Sequence, residues 1–582
     1  MKGEQKATII QGQKYAWLLP AMENKLIAKI AAAYNLSFPI AQTLVHRGYV
    51  QPAHIEEFLF SSYERDVAHP SQLQDAEKSV VRILDAIQKG EQILVFGDYD
   101  VDGITSCSMM MASLLPLGAK INFFLPHRQK DGYGLSTHVV ERAAQNGYSL
   151  IITVDNGITA FDPARRAREL SVDVIITDHH REHDRLPDAF AIVNPNRKDC
   201  AYPFKHLAGV GVTFKLLSLL YEKKGLELPA KVYELLLLGT VADVVPLTGE
   251  NRFWVRYGLN YINRVESPSF KALKLNGKVT KSILSATDIG FSITPQINAL
   301  GRLQDSRQAV KFLIGTDSDH IHEVGNLLFE LNEARKTIEK SIFEQVKNKI
   351  STRLINLDVE NCIIDSSTTW QAGVIGLVAS RLVSSYTRPT ILFHETKEGI
   401  LKGSCRSIPE FNIFDALCEH KDLLLQFGGH SLAAGLSLKK ENLPALKSAL
   451  NSLILEQLTP FDLQAKMTVD GQAHMNDFDK KFISDLKHLE PFGHKNSEPL
   501  FYIASVVQVQ PPTLLKEQHV KTHIFSDGVI KPIMFFNRPE LYEFFSRIQQ
   551  EPFDVIARVS ENHWNGRVNI ELMGVDVAQR SV

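Results

Sequence analysis

The chain has 582 residues, 44% of them hydrophobic, which is long enough for about three or four domains that each bury a core. Lys and Arg total 64 against 66 Asp and Glu, so a broadly basic nucleic-acid-binding protein is excluded and any such surface must be local. The five cysteines lack CxxC spacing and no long apolar run occurs, which argues against disulfides, a thiolate zinc site and a membrane span, and predicts a cytoplasmic protein.

The first half of the chain alternates between two kinds of periodicity. Residues 1–85 are predicted to form an N-terminal helical lead-in, because apolar residues recur at helical spacing in segments such as 25–34. From about 90 to 200 apolar runs alternate with helical patterns, which is typical of βαβ units and a parallel sheet. The predicted strands include 93–96, 121–125, 149–154 and 173–177, and the predicted helices are 105–117, 136–146 and 161–170.

The second half contains three further regions. Residues 207–245 are apolar and mostly helical in pattern, but periodicity does not decide whether the last part is helix or strand. Residues 320–350 contain no Pro, and no Gly after 325, and predict one long helix that joins two lobes. A second α/β block runs to about 455, and short β-rich runs from about 462 to 582 predict a small barrel or sandwich.

Acidic residues follow the predicted strands of the first α/β block. Asp98, Asp100 and Asp102 come directly after an apolar run, Asp155 ends another, and a third ends in Asp178-His179-His180. Because the carboxyl ends of parallel strands share one edge of a sheet, these side chains are predicted to build one site. Carboxylates crowded there repel one another unless a cation compensates them, so a divalent metal is expected.

Each motif also has a simpler interpretation. The first acidic loop could be a solvated turn or a calcium loop, but the EF-hand pattern needs a Glu at the twelfth position, where Met109 stands. The His pair alone would be a polar loop. Gly209-Val-Gly211 lacks the third Gly of a dinucleotide motif, because Phe214 stands there, and is interpreted as close helix packing. No P-loop occurs, which makes a P-loop ATPase a poor fit.

Several of these motifs together resemble a known family. Residues 97–103, 154–157, 177–180 and 241–243 resemble motifs I to IV of the DHH phosphoesterase superfamily, and 428–435 resembles the glycine-rich signature of its DHHA1 domain. Residues 296–302 and 402–407, together with the added C-terminal barrel, are similar to the superfamily's single-strand-specific 5′→3′ exonucleases. The resemblance spans essentially the full chain.

The resemblance implies an α/β fold in five parts. A DHH-type parallel-sheet domain is joined by a long helix to a DHHA1 α/β domain, and a C-terminal OB-like β-barrel follows. The expected bounds are 1–85 for the lead-in, 86–315 for the DHH catalytic domain, 316–352 for the connecting helix, 353–458 for DHHA1 and 459–582 for the OB-like nucleic-acid-binding domain.

It also implies the ligands of two Mn²⁺ or Mg²⁺ ions. The positions that match the family's metal ligands are Asp100, Asp102, Asp155, His179 and Asp243, with Asp155 as the bridging acid. Mixed carboxylate and imidazole ligands suit manganese, which is the first choice. Phe96 stands where related phosphatases carry a His, so either one ion is held more loosely or Asp98 substitutes.

Other positions that match the family are expected to act in catalysis or to bind the substrate. His180 and Arg302 are the expected catalytic residues: His180 is placed beside the scissile phosphate as a donor or proton handler, and Arg302 is placed on the DNA backbone near the metals. Arg128, Ser404 and Arg406 match the pocket for the terminal 5′-phosphate, and His430 lies in a loop that allows close approach of the substrate. The barrel offers aromatic residues for base stacking, most of which are expected in its core: Phe501, Tyr502, Phe525, Phe535, Phe536 and Trp564.

The expected function is a metal-dependent, single-stranded-DNA-specific 5′→3′ exonuclease that releases 5′ mononucleotides in recombination and repair. One alternative is a phosphodiesterase of short oligoribonucleotides or cyclic dinucleotides, and an alternative of another class is an inactive single-strand DNA-binding scaffold. The expected partners are single-stranded DNA, a single-strand-binding protein and a helicase, with no membrane, and the chain is expected to be a monomer.

Overall fold

The computed structural model describes residues 8–127, 132, 134–548, 550–564 and 567–580. The chain forms two compact units. The central unit comprises Glu56–Arg335 and Glu490–Ser497, and the flanking unit comprises Met1–Ile55, Lys336–Leu489 and Glu498–Val582. None of the described helices is both long and apolar enough to cross a membrane.

The central unit is built on a five-stranded sheet in which all strands are parallel. Its strands in chain order are β1 (Gln92–Phe96), β2 (Lys120–Phe124), β3 (Tyr148–Val154), β4 (Asp173–Thr177) and β5 (Ala191–Val193), and their spatial order is β2-β1-β3-β4-β5. Both faces of β1 are buried, since alternate residues enter two different apolar clusters. That is why its sequence is a continuous apolar run.

Helices cover both faces of this sheet and extend beyond it. The long helix Ser318–Ser351 runs from the central into the flanking unit, as the sequence predicts over 320–350. Residues 231–242, where periodicity leaves helix or strand open, are helical. The remaining helices are Pro52–Phe60, Tyr63–Asp66, Ala76–Lys89, Val101–Leu114, Thr137–Gln145, Phe161–Glu169, Gly209–Lys223, Lys231–Ala242, Gly249–Ile262, Pro268–Asn276, Ala286–Asp288, Thr294–Leu303 and Arg307–Ile314, with a π-helical turn at Ile289–Ile293 and 3₁₀ turns at Pro70–Gln72 and Leu115–Leu117.

The flanking unit contains a second five-stranded sheet and a closed barrel. The sheet's strands in spatial order are Gln426–His430, Ala433–Lys439, Ile400–Arg406, Thr390–Glu395 and Ile363–Ser367. The barrel's strands in spatial order are Phe501–Leu515, His519–Ser526, Val529–Phe535, Arg567–Gln579 and Phe553–Trp564. The first of these strands pairs with the last, which closes the barrel, and the short strand Gly471–Gln472 also pairs with the first. The predicted α/β block and C-terminal OB-like barrel are therefore confirmed.

Helices and 3₁₀ turns complete the flanking unit. The helices are Asn24–Ala33, Phe38–His46, Ala372–Tyr386, Ile413–Glu419, Leu443–Gln457, Lys480–Leu489 and Leu541–Ile548, and the 3₁₀ turns are Lys421–Leu423, Lys440–Asn442 and Met475–Asp477.

The prediction that residues 1–85 are a helical lead-in is wrong for the described start of the chain. Thr8–Gln11 and Ala16–Leu19 are antiparallel strands, and the second pairs with Lys466–Thr468. Buried Trp17 donates its indole N–H to Asp576 of the barrel at 3.0 Å. Four-residue strands are too short to show a clear alternation, and their partner lies far along the chain, so local pattern does not reveal them.

Candidate metal centre

The carboxyl edge of the central sheet collects the acids and the imidazole that follow its strands. Asp98 comes two residues after β1, Asp155 directly after β3, and His179 two residues after β4. These three strands are neighbours in the sheet, in the order β1-β3-β4. The predicted convergence of distant sequence motifs at one sheet edge is therefore observed.

The loop after β1 is shaped by its own hydrogen bonds and by a glycine. Asp100 is the N-cap of the helix Val101–Leu114, and its carboxylate accepts the N–H of Gly103 at 3.1 Å. A Cβ on Gly103 would lie 2.5 Å from the backbone nitrogen of Asp98. Glycine is needed there because the helix start packs directly on the acidic loop.

Asp102 is held by the start of a second helix. Its two carboxylate oxygens accept the backbone N–H groups of Gly209 and Val210, at 2.6 and 2.7 Å. A Cβ on Gly209 would lie 2.7 Å from a carboxylate oxygen of Asp155. The interpretation of Gly209-Val-Gly211 as close helix packing is thus incomplete, since Gly209 lets the helix N-terminus approach two predicted ligands.

The remaining predicted ligands surround the His179 ring. Its Nε2 lies 3.2 Å from Asp155 Oδ1, 3.7 Å from Asp243 Oδ2 and 3.9 Å from Asp102 Oδ2. Both His179 Nε2 and Asp243 Oδ2 are buried without a hydrogen-bond partner among the described residues. Buried polar atoms that lack a protein partner and face one another are what a divalent ion would satisfy.

Among the residues that the structure describes, three groups of side chains have donor atoms close enough to share an ion. They are Asp102-His179-Asp243, Asp98-Asp100-Asp155 and Asp155-His179-His180, each with donor atoms within 4.8 Å of one another. Asp155 is common to two groups, and Asp98 belongs to one. Phe96 stacks on Phe124, with ring centroids 5.7 Å apart, inside the apolar layer. Carboxylate and imidazole donors fit Mn²⁺ well and also accept Mg²⁺.

Burial and mutual repulsion perturb the charges of this cluster. Burial, and then the neighbouring charge of Asp100, raises the pKa of Asp102 to about 7. Burial and the other carboxylates also raise the pKa values of Asp155 and Asp243. Burial lowers the pKa of His179 to about 4, so its ring is neutral near pH 7, as a metal ligand requires. A cation would relieve the repulsion among the carboxylates.

Asp178 has a structural role that the sequence does not indicate. This carboxylate is buried, and its Oδ1 accepts the backbone N–H of His179 at 2.7 Å and that of His180 at 3.1 Å. It also lies 2.7 Å from Nδ1 of His180, while its Oδ2 accepts the Ile158 N–H at 2.9 Å. Burial lowers the pKa of His180, but the hydrogen bond and charge of Asp178 outweigh it and the net pKa is raised. Asp178 thus orients His180.

Two predicted substrate residues belong to the central unit. Arg302 lies in the helix Thr294–Leu303 directly after Gly301, where a Cβ would lie 2.2 Å from the carbonyl oxygen of Tyr99. The helix carrying Arg302 therefore packs against the loop that contains Asp98 and Asp100. Arg128 lies outside the described residues.

Ser404, Arg406 and His430 are brought together on the sheet of the flanking unit. Arg406 is opposite Ala433, which is opposite His430, so Arg406 and His430 lie in one row about 9.5 Å apart. Arg406 Nη1 donates to Ser404 Oγ at 3.1 Å.

The neighbouring row consists of Ser404, Gly435 and Gly428. A Cβ on Gly428 would meet nothing within 4 Å, and one on Gly435 only a carbonyl oxygen at 3.9 Å. Packing does not require these glycines, so the bare backbone is available for a ligand to approach.

Among its described residues, the barrel has a groove lined by several lysines but few exposed aromatic side chains; the side chain of Trp564 lies outside that description. Phe501, Tyr502 and Phe535 are buried in its core, as expected for most of this set, whereas Phe525 and Phe536 are 39% and 49% exposed. A groove of about 970 Å³ runs along the strands His519–Ser526 and Val529–Phe535, the face that OB folds use for oligonucleotides. Its lining contains Lys480, Lys487, Lys521, Lys531 and His523 together with Glu561 and Glu571, and Lys487 Nζ lies 3.0 Å from a carboxylate oxygen of Glu561.

Three family models match this chain. The DHH family, N-terminal domain, matches residues 92–240, the DHHA1 domain matches 359–456, and the RecJ OB domain matches 469–576. The central sheet and the second sheet lie within the first two matches, and the third covers the barrel except for the last three residues of the strand Arg567–Gln579. The resemblance to the DHH phosphoesterases and the predicted fold class are confirmed.

Named relatives cover most of the chain. The single-stranded-DNA-specific exonuclease RecJ of Bacillus subtilis (strain 168) is 35% identical over 568 residues, which is 97% of this chain and 71% of the relative. RecJ of Escherichia coli (strain K12) is 36% identical over 478 residues, 78% of this chain and 81% of the relative. The crystal structure of RecJ in complex with Mn²⁺ from Thermus thermophilus matches with a TM-score of 0.82 at 27% identity, covering 98% of this chain and 80% of that chain. The chain therefore belongs to the RecJ family.

Proposed function

We propose that this chain is a metal-dependent exonuclease that degrades single-stranded DNA from its 5′ end and releases 5′ mononucleotides, in recombination and repair. The observation that carries the proposal is the buried cluster of carboxylates around His179, in which two donor groups are joined by Asp155. The family's curated relatives are named single-stranded-DNA-specific exonucleases.

Two Mn²⁺ or Mg²⁺ ions would be held by Asp100, Asp102, Asp155, His179 and Asp243, with Asp155 shared between them. A carboxylate oxygen of Asp98 lies close to those of Asp100 and Asp155, which supports Asp98 as a further metal ligand. Asp98 would replace the His that related phosphatases carry where this chain has Phe96. Such a pair of ions would supply an activated water and would stabilise the attacking and leaving oxygens of an in-line phosphodiester displacement.

The protein's own groups position the phosphate and handle protons. The Asp178 carboxylate fixes the His180 ring at Nδ1, and His180 would act beside the scissile phosphate as a hydrogen-bond donor or proton handler. Arg302 would hold the strand backbone beside the acidic loop, because a guanidinium pairs with phosphate through two hydrogen bonds.

Recognition of the strand end is assigned to the flanking unit, together with Arg128. Arg406 and Ser404 are adjacent on one strand, and the glycine row beside them leaves room for a terminal 5′-phosphate. His430, in the same row as Arg406, would contact the nucleotide there. Binding of the phosphorylated end would set the 5′→3′ direction of degradation.

The barrel groove favours a strand over a small substrate. Lys521 and Lys531 lie on the two strands that bind oligonucleotides in OB folds, and Lys480 and Lys487 face the same groove from the helix Lys480–Leu489. Cyclic dinucleotides or very short oligoribonucleotides need no such track. An inactive DNA-binding scaffold would need no metal site, whereas the described part of this chain brings carboxylate and imidazole donor atoms within 4.8 Å of one another.

The experiment is a cleavage assay with end-labelled oligonucleotides. Single- and double-stranded substrates, with and without a 5′-phosphate, are incubated with the protein in Mn²⁺, Mg²⁺ or EDTA. The proposal expects mononucleotides from single strands only, faster with a 5′-phosphate, and none in EDTA. Equal cleavage of duplex, or cleavage from the 3′ end, would contradict it.

Three finer proposals concern the surroundings of the enzyme. A nuclease limited to single strands depends on unwinding, so a helicase and a single-strand-binding protein are proposed as partners, in the cytoplasm. The chain is proposed to act as a monomer, because one chain carries all the proposed ligands. Light scattering of the purified protein, and co-precipitation from cell extract with and without nuclease treatment, test these proposals.

A further inference from the structure

The loop that follows Asp243 contains a strained residue. Asp243 ends the helix Lys231–Ala242, and the next residue, Val244, has φ +57°. This left-handed conformation is an outlier for a β-branched side chain, and Val244 is 62% exposed, so burial of its side chain does not hold it there. Such a conformation persists only where the surrounding structure fixes the backbone on both sides.

Hydrogen bonds fix this loop at both ends. On the upstream side the Asp243 N–H donates to the carbonyl of Gly239 at 3.0 Å, as the last turn of the helix. On the downstream side the Asn251 amide donates to the carbonyl of Pro246 at 3.1 Å. The Leu247 N–H donates to the carbonyl of His494 at 2.9 Å. His494, the acceptor of this last bond, lies almost 250 residues further along the chain than Leu247.

That segment, Glu490–Ser497, is here called the strap. It joins the helix Lys480–Leu489 to the barrel, whose first strand begins at Phe501, yet it groups with the central unit. The backbones of Gly493 and Asn496 exchange two hydrogen bonds, at 2.8 and 3.1 Å. The buried Asn496 side chain donates to the Pro491 carbonyl at 2.8 Å. The strap is therefore a tight turn with a defined shape.

The strap is anchored and packed closely against the Asp243 loop. Arg256 donates to the carbonyl of Glu490 at 2.7 Å. A Cβ on Gly493 would lie 2.6 Å from Cδ1 of Leu247, which is itself buried. Glycine is thus needed at 493 because the strap lies directly on Leu247. Any movement of the strap would be transmitted to the loop between Asp243 and Leu247.

We propose that the strap is a positioning element for the metal ligand Asp243. By fixing Leu247 it holds the strained turn at Val244, and so places the Asp243 carboxylate against His179, 3.7 Å from its Nε2. A segment that lies just before the barrel thereby helps to build the metal centre. This inference rests on the proposed function, since it assigns Asp243 to a metal.

The test measures Mn²⁺ affinity of the full chain by EPR, independently of cleavage. Gly493→Ala is expected to weaken Mn²⁺ binding about tenfold, the lower end of the range for groups that orient metal ligands. Adding Leu247→Val, which shortens the side chain that the new methyl would strike, is expected to restore most of the affinity. The matched control is Gly325→Ala, where a Cβ would make only an ordinary contact of 3.5 Å.

The outcomes separate this inference from the proposed function. A parent chain that binds no Mn²⁺ would overturn the proposed function. A parent that binds Mn²⁺, with an equally tight Gly493→Ala variant, would overturn the role of the strap, even if that variant melted at a lower temperature. Should Gly493→Ala fail to fold, Leu247→Ala removes the same contact without crowding, and unchanged Mn²⁺ affinity in that variant would overturn the inference.

Discussion

Replacing Asp178 with Asn tests whether the orientation of His180 is needed for catalysis. The Asp178 carboxylate accepts the backbone N–H groups of His179, His180 and Ile158, and binds the His180 ring. An amide has one accepting oxygen. If that oxygen takes the place of Oδ1, the amide NH₂ faces the Ile158 N–H, and two donors then oppose each other in a buried site.

The magnitude follows from these bonds. Leaving one buried donor unpaired costs about 1–3 kcal/mol, and each bond to Oδ1 loses about 1 kcal/mol when its acceptor is no longer charged. With three bonds to Oδ1 and one unpaired donor, we expect the free energy of unfolding to fall by about 4–6 kcal/mol. A correctly positioned proton donor contributes about 10²–10⁴-fold to rate, so a misoriented His180 should lower kcat at least about 100-fold.

The assay compares kcat with metal affinity in the same variant. Rates are measured on a 5′-phosphorylated single-stranded oligonucleotide in saturating Mn²⁺, and Mn²⁺ affinity is measured by EPR. Asp178→Asn should lower kcat far more than Mn²⁺ affinity, because the donor atoms around His179 remain. Asp188→Asn is the matched control, since this acid is exposed and its ion pair in the described part of the chain is with the exposed Arg168. A variant as active as the parent chain would refute the reasoning, as would parallel losses of rate and metal affinity.

Three further predictions concern the metal centre and the strand end. Asp155→Ala, which removes the carboxylate common to two donor groups, should abolish cleavage but leave strand binding largely intact in a gel-shift assay, because binding is spread over many phosphate contacts; retained cleavage would reject the bridging role. The parent chain should degrade a 5′-phosphorylated strand faster than an unphosphorylated one when the two compete, and Arg406→Ala should reduce this advantage more than the control Arg547→Ala does. Equal reductions in the two variants would count against recognition of the strand end by Arg406. EDTA-treated protein should lose thermal stability as pH rises from about 4 to 7, because the pKa values of Asp102, Asp155 and Asp243 are all raised in the folded protein, that of Asp102 to about 7, and these three acids there bind more protons than in the unfolded state; the lowered pKa of His179 acts in the opposite direction and offsets only part of this loss, Mn²⁺ should suppress it, and a melting temperature independent of pH would contradict it.

The sequence predicts the parts of the site that depend on local pattern. Apolar strands that end in an acid or a His are visible as short runs, and a parallel sheet brings their ends together without further information. Asp98, Asp155 and His179 therefore meet as predicted. Asp243 ends a segment whose periodicity leaves helix or strand open, and only its match to a family motif places it in the set.

The parts that sequence misses depend on contacts between distant segments. No spacing rule shows that the amides of Gly209 and Val210 would bind Asp102, or that Asp178 would face inward to fix His180. The strap bond to Leu247 is equally non-local. The two strands at the start of the chain were missed because their stability comes from residues 466–468 and 576 rather than from their own pattern.

The bond between Trp17 and Asp576 has a consequence for how the protein is made. The two residues are 559 positions apart, and Asp576 is fully buried, also bonded to the backbone N–H groups of Lys14 and Tyr15 and to Arg538. On the ribosome, Trp17 is made 559 residues before Asp576, so the hairpin that contains Trp17 must wait for its partner. Growing chains should therefore carry an unpaired β-edge until Asp576 has been made, a period in which chaperones would protect them from aggregation.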